Sequence, residues 1–309
     1  MIRPSSRLLL LLTVFALVVG GPIWGLEVTA EFDMGNLGFA KDRLSSATDY
    51  PQIFPWGLAL YVTEDISSNL TIDSGFYFDQ TLKNISYTRL HYSQAFFTLG
   101  VGPFFGFFNS RSSILQPGIS TAVRIDFPGI AFVEFRADSS IGGRMVQSGD
   151  YLQERSDLTA GLYVLNAIAT VNLLTKTYAY RSDTEEIVDD FVEYSFRTDL
   201  FQKNVPIKVL LSFAYQKRGK SFTNLSDREV STHELNSLIL GTKIDSQIND
   251  YMSVVTSLES SIYSFGSVVT LQDSALLTIP STGIDAFLFN AGVAIRLNLD
   301  RILDGRGDL

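Results

Sequence analysis

Apolar and polar residues alternate through the last long segment of the chain, residues 284–300. Odd positions such as Phe287, Val293 and Ile295 are apolar, whereas the even positions between them are mostly small or polar. Because successive side chains of an extended strand point to opposite faces, the segment predicts a strand with one continuous apolar face. A core strand of a parallel sheet would be apolar on both faces, so the pattern favours an antiparallel sheet with two different faces.

The same alternation recurs along the whole chain that precedes this segment. It predicts strands near 26–34, 56–63, 70–78, 84–92, 95–108, 119–127, 131–138, 157–164, 166–179, 189–200, 205–217, 231–245 and 251–265. With the last strand, the count is fourteen if 84–92 and 95–108 are separate strands, and twelve if they form one bent hairpin arm. We expect an even number, which places both ends of the sheet on the same side.

The segments between the predicted strands fall into two classes. Short ones lie near 65–68, 126–129, 164–167, 200–205 and 246–250, and longer polar ones lie near 40–52, 109–117, 139–152, 180–188, 218–230 and 266–283. Short turns that alternate with long loops are typical of a transmembrane antiparallel up-and-down β-barrel, whose turns face the periplasm. Aromatic residues near strand ends would form its interfacial girdles, and the candidates are Trp56, Phe76, Phe78, Phe127, Tyr178, Tyr180, Tyr215, Tyr263, Phe265 and Phe287.

The N-terminus carries the features of a secretory signal peptide over residues 1–25. Arg3 and Arg7 precede an apolar run of twelve residues, 8–19, which is shorter than the roughly 20 residues of a transmembrane helix. The expected organisation is a signal peptide at 1–25, a barrel at 26–300 and a short tail at 301–309. Cleavage after Gly25 would start the mature chain at Leu26, and Gly20 is a second candidate cleavage site.

Composition narrows the possible functions further. The chain has no cysteine, which excludes disulfides, thiol nucleophiles and thiolate metal sites. Its formal charge is −9, and removal of residues 1–25 takes away two arginines and no acid, which leaves −11. Such a balance argues against a nucleic-acid partner. We expect no cofactor and, with only two histidines, no zinc site.

The polar faces of the predicted strands define the lumen. Its predicted acids are Glu27, Glu31, Asp33, Asp73, Asp126, Glu134, Asp138, Asp157, Glu193, Asp199, Asp245, Glu259 and Asp300. Its predicted bases are Arg124, Arg136, Arg197, Lys208, Lys243 and Arg296. A water-filled path with this excess of acids would favour cations. Alternatively, these groups pair across neighbouring strands and fill the barrel.

In this pattern the chain resembles bacterial outer-membrane β-barrel proteins of the porin-like kind. The resemblance covers the whole mature chain and identifies no particular family. It implies a passive channel for small solutes in a Gram-negative-type envelope, with outer-membrane lipids and the barrel-assembly machinery as partners and both termini in the periplasm. The second hypothesis is an occluded barrel that acts as an adhesin or structural protein through its surface loops. A soluble β-sandwich or periplasmic barrel would also show alternation, but its strands would be shorter.

Three further hypotheses concern particular segments. The aromatic run 104–108 could mark a lateral opening for hydrophobic solutes, although lipid-facing aromatics among glycines explain it more simply. His91 and Ser93 place a base near a hydroxyl, but residues two apart on a strand do not form a catalytic contact, so we expect no enzyme. The acidic run 183–190 could bind calcium at the cell surface, although a solvated loop is the simpler interpretation.

Overall fold

The computed structural model is a closed, all-antiparallel β-barrel of fourteen long strands with one additional short strand. It describes residues 26–40, 56–79, 81–109, 114–141, 148–201, 206–226, 230–270, 276–279 and 286–298. The predicted signal peptide and the tail lie outside these residues. None of the described segments forms a helix with the length and apolarity that a bilayer crossing demands.

The strands follow one another around the barrel in chain order. Their bounds are β1 Glu27–Ala40, β2 Trp56–Ser67, β3 Leu70–Asp79, β4 Lys83–Gln94, β5 Phe97–Phe107, β6 Leu115–Phe127, β7 Ala131–Ser140, β8 Tyr151–Val164, β9 Ala167–Arg181, β10 Glu185–Phe201, β11 Ile207–Asn224, β12 Val230–Asn249, β13 Met252–Thr270, β14 Leu276–Ile279 and β15 Ala286–Asn298. Strand β14 pairs only with the end of β13. The segments 84–92 and 95–108 are two separate strands, β4 and β5, so the higher of the two predicted counts is correct.

The barrel closes between its first and last strands. Glu27 at the start of β1 pairs with Asn298 at the end of β15, and β15 pairs in turn with β13. The two ends of the described chain therefore lie on one side, which we call the turn end. Five tight turns lie there, at 68–69, 95–96, 128–130, 165–166 and 250–251. The connection between β10 and β11 also lies at the turn end, and the opposite side is the loop end.

The exterior of the barrel is apolar, as the alternation predicts. The exposed large hydrophobic residues include Leu99, Val101, Ile119, Val123, Ile125, Val133, Phe135, Leu158, Leu162, Val171, Phe196, Leu211, Phe213, Leu240, Leu258, Val293 and Ile295. Lipid acyl chains satisfy no backbone hydrogen bond, so a sheet that crosses a membrane must pair all its edges, and this one does. An apolar exterior together with a closed ladder of hydrogen-bonded strands is characteristic of a membrane-spanning barrel.

Several of the predicted loops at the loop end are continuations of strands. Strands β9 and β10 extend to Arg181 and from Glu185, so the predicted loop 180–188 shrinks to three residues. Strand β11 continues to Asn224, which leaves only 225–229 of the predicted loop 218–230. The alternation of apolar and polar residues fades in these extensions because their outward side chains are polar, and the pattern therefore failed to mark them as strands.

A small hydrophobic core lies inside the barrel, where the pattern predicts a polar lumen. Leu82, Ile85 and Phe104 are completely buried and pack with Tyr87 and Tyr77. Phe104 points inward because β5 presents Gly102 and Gly106 on the same face, which leaves room for its ring. A side chain at Gly102 would collide with the backbone carbonyl of Thr88. Glycine is therefore required where β4 and β5 approach each other.

Candidate functional site

The structure places the predicted lumen residues on the inner face of the barrel in three groups. The described members of the predicted set with placed side chains are Glu27, Glu31, Asp73, Arg124, Asp126, Glu134, Arg136, Asp138, Asp157, Glu193, Arg197, Asp199, Lys208, Lys243, Asp245, Glu259 and Arg296. Asp33 lies opposite Gly57 and Gly292 in the ladder, on the inward register of β1. Asp300 lies outside the described residues.

The first group is a packed cluster centred on Arg89 of β4. Its guanidinium donates to Asp138 at 3.0 Å and to Ser120 at 2.5 Å, and it also contacts Asp73 at 3.5 Å. The side chains of Arg89 and Asp138 are each only 2% exposed. Ser120 donates to the same Asp138 oxygen, and the Tyr87 ring lies 4.2 Å from the guanidinium carbon. This part of the lumen is therefore filled by a network of paired charges.

The packed cluster continues to the loop end through the tip of the β3–β4 hairpin. Asp79 accepts hydrogen bonds from the backbone of Thr81 and Leu82 and forms an ion pair with Lys176 of β9. The backbone carbonyl of Leu82 accepts a hydrogen bond from Gln153 of β8 at 2.7 Å. These contacts join β3 and the hairpin tip to β8 and β9, which lie five and six strands away in the barrel. The hairpin tip therefore leans across the lumen.

Three further bases extend the same cluster to neighbouring strands. Arg218 of β11 and Lys83 of the hairpin tip both contact Asp189 of β10, at 2.5 Å and 3.8 Å respectively. Arg155 of β8 donates to Tyr77 across the lumen at 3.0 Å and pairs with Asp157. The packed cluster as a whole balances five acids with five bases: Asp73, Asp79, Asp138, Asp157 and Asp189 against Lys83, Arg89, Arg155, Lys176 and Arg218.

The second group is a half-exposed network near the turn end. Arg124 contacts Asp126 at 2.7 Å and Glu134 at 3.4 Å, and its guanidinium carbon lies 3.9 Å from the centre of the Phe132 ring. Arg136 pairs with Glu134 from the other side. Arg124 and Glu134 are direct ladder partners, so the alternative in which lumen charges pair across neighbouring strands applies to this group. Two acids and two bases cancel one another here.

The third group is the wet side, the inward charges in the turn-end half of β10 to β13, β15 and β1. Its members are Glu27, Glu31, Arg197, Asp199, Lys208, Lys243, Asp245, Glu259 and Arg296. The side chains of Glu27, Arg197, Lys243 and Arg296 are each 38–43% exposed although they point into a closed barrel. Water therefore reaches this part of the lumen.

The contacts of the wet side are fewer and longer than those of the packed cluster. Lys243 lies 3.8 Å from Glu31, and Arg296 contacts Asp245 at 3.3 Å and Glu27 at 3.0 Å. Glu193, which is buried, borders this side through Arg197 at 3.3 Å. With Glu193 included, six acids face four bases. The excess of acids in the lumen is thus concentrated where water has access.

Sequence reasoning missed several charged residues that lie in the lumen. The missed acids are Asp79 and Asp189, and the missed bases are Lys83, Arg89, Arg155, Lys176 and Arg218. The five bases reduce the predicted acid excess of the whole lumen. The inward position of Arg89 was visible in the alternation, because it shares a face with Ile85 and Tyr87. Asp189 and Arg218 fell in segments predicted to be loops.

Two of the alternative site hypotheses meet geometry that disfavours them. The hydroxyl of Ser93 bonds Thr98 at 3.0 Å, whereas the nearest acidic partner of His91 is Asp73 at 3.9 Å. The predicted acidic loop 183–190 is wrong, because β10 begins at Glu185. Asp189 points inward and Asp190 points outward to Thr177. Within the described part of the chain, no group of three or more histidine, aspartate or glutamate side chains is arranged for a metal ion.

The structure agrees with some of the predicted members of the aromatic girdle and corrects others. Phe78, Phe127 and Tyr215 are exposed on the outside, as a girdle requires. Tyr178 and Tyr180 instead point into the lumen and are buried, and the Tyr178 hydroxyl donates to the backbone carbonyl of Asn109 at 2.5 Å. The side chains of Trp56, Tyr263, Phe265 and Phe287 lie outside the described part of the structure.

Comparison with known proteins finds outer-membrane barrels of similar architecture. No protein family and no curated protein sequence matches the chain. Among solved structures, a bacterial polysaccharide outer membrane secretin is 10% identical, with 90% of this chain and 99% of that chain covered and a TM-score of 0.49. OmpT, an outer membrane protein of Vibrio cholerae, is 10% identical over 89% and 97% of the two chains, with a TM-score of 0.41. An anion-selective porin from Comamonas acidovorans is 11% identical over 88% and 98%, with a TM-score of 0.39. These values are too low to indicate a function.

Proposed function

We propose that the protein is a narrow passive channel for small solutes in a bacterial outer membrane, with a mild preference for cations. The observation that carries the proposal is the contrast between the two sides of the lumen. Four charged side chains of the wet side (Glu27, Arg197, Lys243 and Arg296) keep roughly two-fifths of their surface exposed, whereas Arg89 and Asp138 are 2% exposed. A path along β10 to β13, β15 and β1 would carry water and ions past the packed cluster.

The cation preference follows from where the unbalanced charge lies. The packed cluster and the turn-end network each hold equal numbers of acids and bases, so their fields largely cancel at a distance. The wet side has two more acids than bases when Glu193 is included. In a narrow, low-dielectric path such an excess raises the local concentration of cations.

The orientation in the membrane is part of the same proposal. Short turns of outer-membrane barrels face the periplasm, and the turn end carries both ends of the described chain. We therefore infer periplasmic termini. An epitope inserted within residues 142–147, at the loop end, should be accessible on intact cells, whereas an epitope after residue 309 should not be.

The channel is tested by conductance in planar bilayers under a gradient of potassium chloride. The expected result is a reversal potential with the sign of a cation-preferring pore. Glu31→Gln combined with Glu259→Gln should shift it toward the unselective value, because two wet-side charges are removed. Glu154→Gln is the matched control, since this acid loses the same charge on the exposed outer face. No conductance, or anion preference in the unmodified protein, would overturn the proposal.

A second candidate is a closed barrel that acts as a structural or adhesive protein through its loop end. The cross-lumen contacts of the hairpin tip favour it, because they already seal one side of the lumen. Liposome swelling with small sugars separates the two candidates: a channel admits the sugar and the liposomes swell, whereas a sealed barrel leaves them unchanged. Neither candidate involves catalysis.

A further inference from the structure

The strands on opposite sides of the barrel differ in length. Strands β3 and β5 have 10 and 11 residues, whereas β11 and β12 have 18 and 20. Each of these strands starts or ends at the turn end. The additional residues of β11 and β12 therefore lie at the loop end, where one side of the barrel is taller than the other.

The outer face of the taller side changes from apolar to polar at a definite level. Tyr194 and Tyr215 are ladder partners, and both are exposed on the outside below this level. Beyond them the outward face is mostly polar, apart from Val188 and Val192 of β10, and it carries three polar pairs: Thr177 with Asp190 at 2.8 Å, Arg181 with Glu186 at 3.1 Å and Lys217 with Glu234 at 3.5 Å. We call residues 177–181, 185–190, 217–224 and 230–236 the high wall.

On the shorter side, β3, β5 and β6 carry large apolar side chains on the outer face up to its edge, whereas β4 between them presents the uncharged polar residues Asn84, Ser86 and Thr88. Phe78 ends the outward row of β3, Phe107 ends that of β5, and Leu115 begins that of β6. Phe76 packs edge-on against Phe107, with ring centres 6.2 Å apart. Phe78, Phe108, Ile114 and Leu115 are all exposed large hydrophobic residues. We call Phe76, Phe78, Phe107, Phe108, Ile114 and Leu115 the low lip.

The two sides impose opposite requirements on the surroundings. Exposing the low lip to water is unfavourable in proportion to its apolar surface. Placing the ion pairs of the high wall in hydrocarbon is unfavourable because each charged group would lose its water. On β5 and β6 the low lip continues the apolar belt that the rest of the barrel presents to lipid, whereas β4 contributes only uncharged polar residues at this level. One position of the barrel satisfies both requirements.

We propose that the low lip is a lipid-binding surface that lies within the acyl chains of the leaflet on the loop-end side, while the high wall projects into water. Six residues of β10 and eight of β11 project, which is roughly 20–26 Å along a strand at about 3.3 Å per residue. The opening of the barrel at the loop end is therefore bordered by lipid along the low lip. On the opposite side it is bordered by the high wall, which has water on both faces. The proposal requires only that the barrel spans a membrane and not that it conducts.

Tryptophan fluorescence with brominated phosphatidylcholine vesicles tests this seating. The host is the full chain without its two native tryptophans, Trp24→Phe and Trp56→Phe, purified from membranes and reconstituted. A single tryptophan is then introduced as Phe78→Trp on the low lip or as Val188→Trp on the high wall. Leu240→Trp, exposed in the middle of the apolar belt of β12, gives the signal of a residue in contact with lipid.

We expect Phe78→Trp to be quenched as strongly as Leu240→Trp and at least about twofold more than Val188→Trp, because the bromines lie in a hydrocarbon core about 30 Å thick. Phe108→Trp and Ser221→Trp form a second pair for the same comparison if a member of the first does not fold, as judged by heat-modifiable gel migration. Equal quenching at the low lip and the high wall would overturn the proposal. The proposal would also be overturned if a tryptophan on the low lip were quenched no more than a tryptophan in water.

Discussion

At the scale of single residues, the lumen separates charges that hold the barrel together from charges that water can reach. Arg89 is enclosed by Asp138, Asp73 and Ser120 and has almost no exposed surface. Arg197 points into the same barrel but is 43% exposed and contacts only Glu193 among the described acids. The two arginines therefore contribute differently to the stability of the fold, because the free energy of an ion pair depends on how fully its partners have lost water.

Replacing each arginine by methionine tests this difference directly. Arg89→Met leaves Asp138 buried without its base and should lower the free energy of unfolding by roughly 3–5 kcal/mol. Arg197→Met should lower it by only about 0–1 kcal/mol, since Arg197 is itself 43% exposed and Glu193 keeps its hydrogen bond from Gln216. Urea unfolding of the reconstituted barrels measures both values. Equal losses for the two variants would mean that the packed cluster is no drier than the wet side.

At the scale of strands and hairpins, alternation was sufficient to find every strand of the barrel but not to locate their ends. Alternation is visible only where one face of a strand is apolar. A strand of this barrel has such a face only where it crosses the lipid belt. Strand β10 therefore looked like a loop between Glu185 and Val188, where Glu185 and Glu186 interrupt the apolar row that marks the membrane-crossing part of the strand. Membrane crossing, rather than strand formation, is what the pattern reports.

Contacts across the lumen could not be predicted from the sequence at all. Asp79 and Lys176 are 97 residues apart, and they meet across the lumen because each is the tenth residue of its strand from the turn end and points inward. Alternation indicates the face on which a side chain lies but not its partner across a closed barrel. The fold was accessible from the sequence, whereas the division of the lumen into packed and wet sides was not.

The hairpin tip should loosen when its ion pair is removed. Lys176→Met leaves Asp79 without a cation and with only the backbone donors of Thr81 and Leu82. We expect faster amide hydrogen exchange across residues 79–87, because local opening no longer breaks the cross-lumen pair. Lys217→Met, which removes an ion pair on the exposed outer face of the high wall, is the control and should leave this segment unchanged. Unaltered exchange in Lys176→Met would show that the remaining contacts hold the tip alone.

At the scale of the whole molecule, the barrel is closed by the seam that joins the first strand to the last. A soluble sandwich could also place alternating strands side by side, but only a closed barrel requires β1 and β15 to be neighbours along their length. Ala30 and Ile295 are ladder partners, and both side chains are exposed on the outer face. Side chains directly opposite in an antiparallel pair have Cβ atoms about 4.5–5.5 Å apart, within reach of a disulfide after small adjustments.

Because the chain has no cysteine of its own, a pair of introduced cysteines reports on the seam without interference. Ala30→Cys with Ile295→Cys should form an intramolecular disulfide in the folded barrel upon mild oxidation. The bond would join residues near the two ends of the chain and change the migration of the boiled, unreduced protein. Ala30→Cys with Leu240→Cys is the control, since both positions are exposed on the outer face but on strands that are not neighbours. A disulfide in the control but not in the seam pair would contradict the strand order, and with it the closed lumen on which every functional proposal here depends.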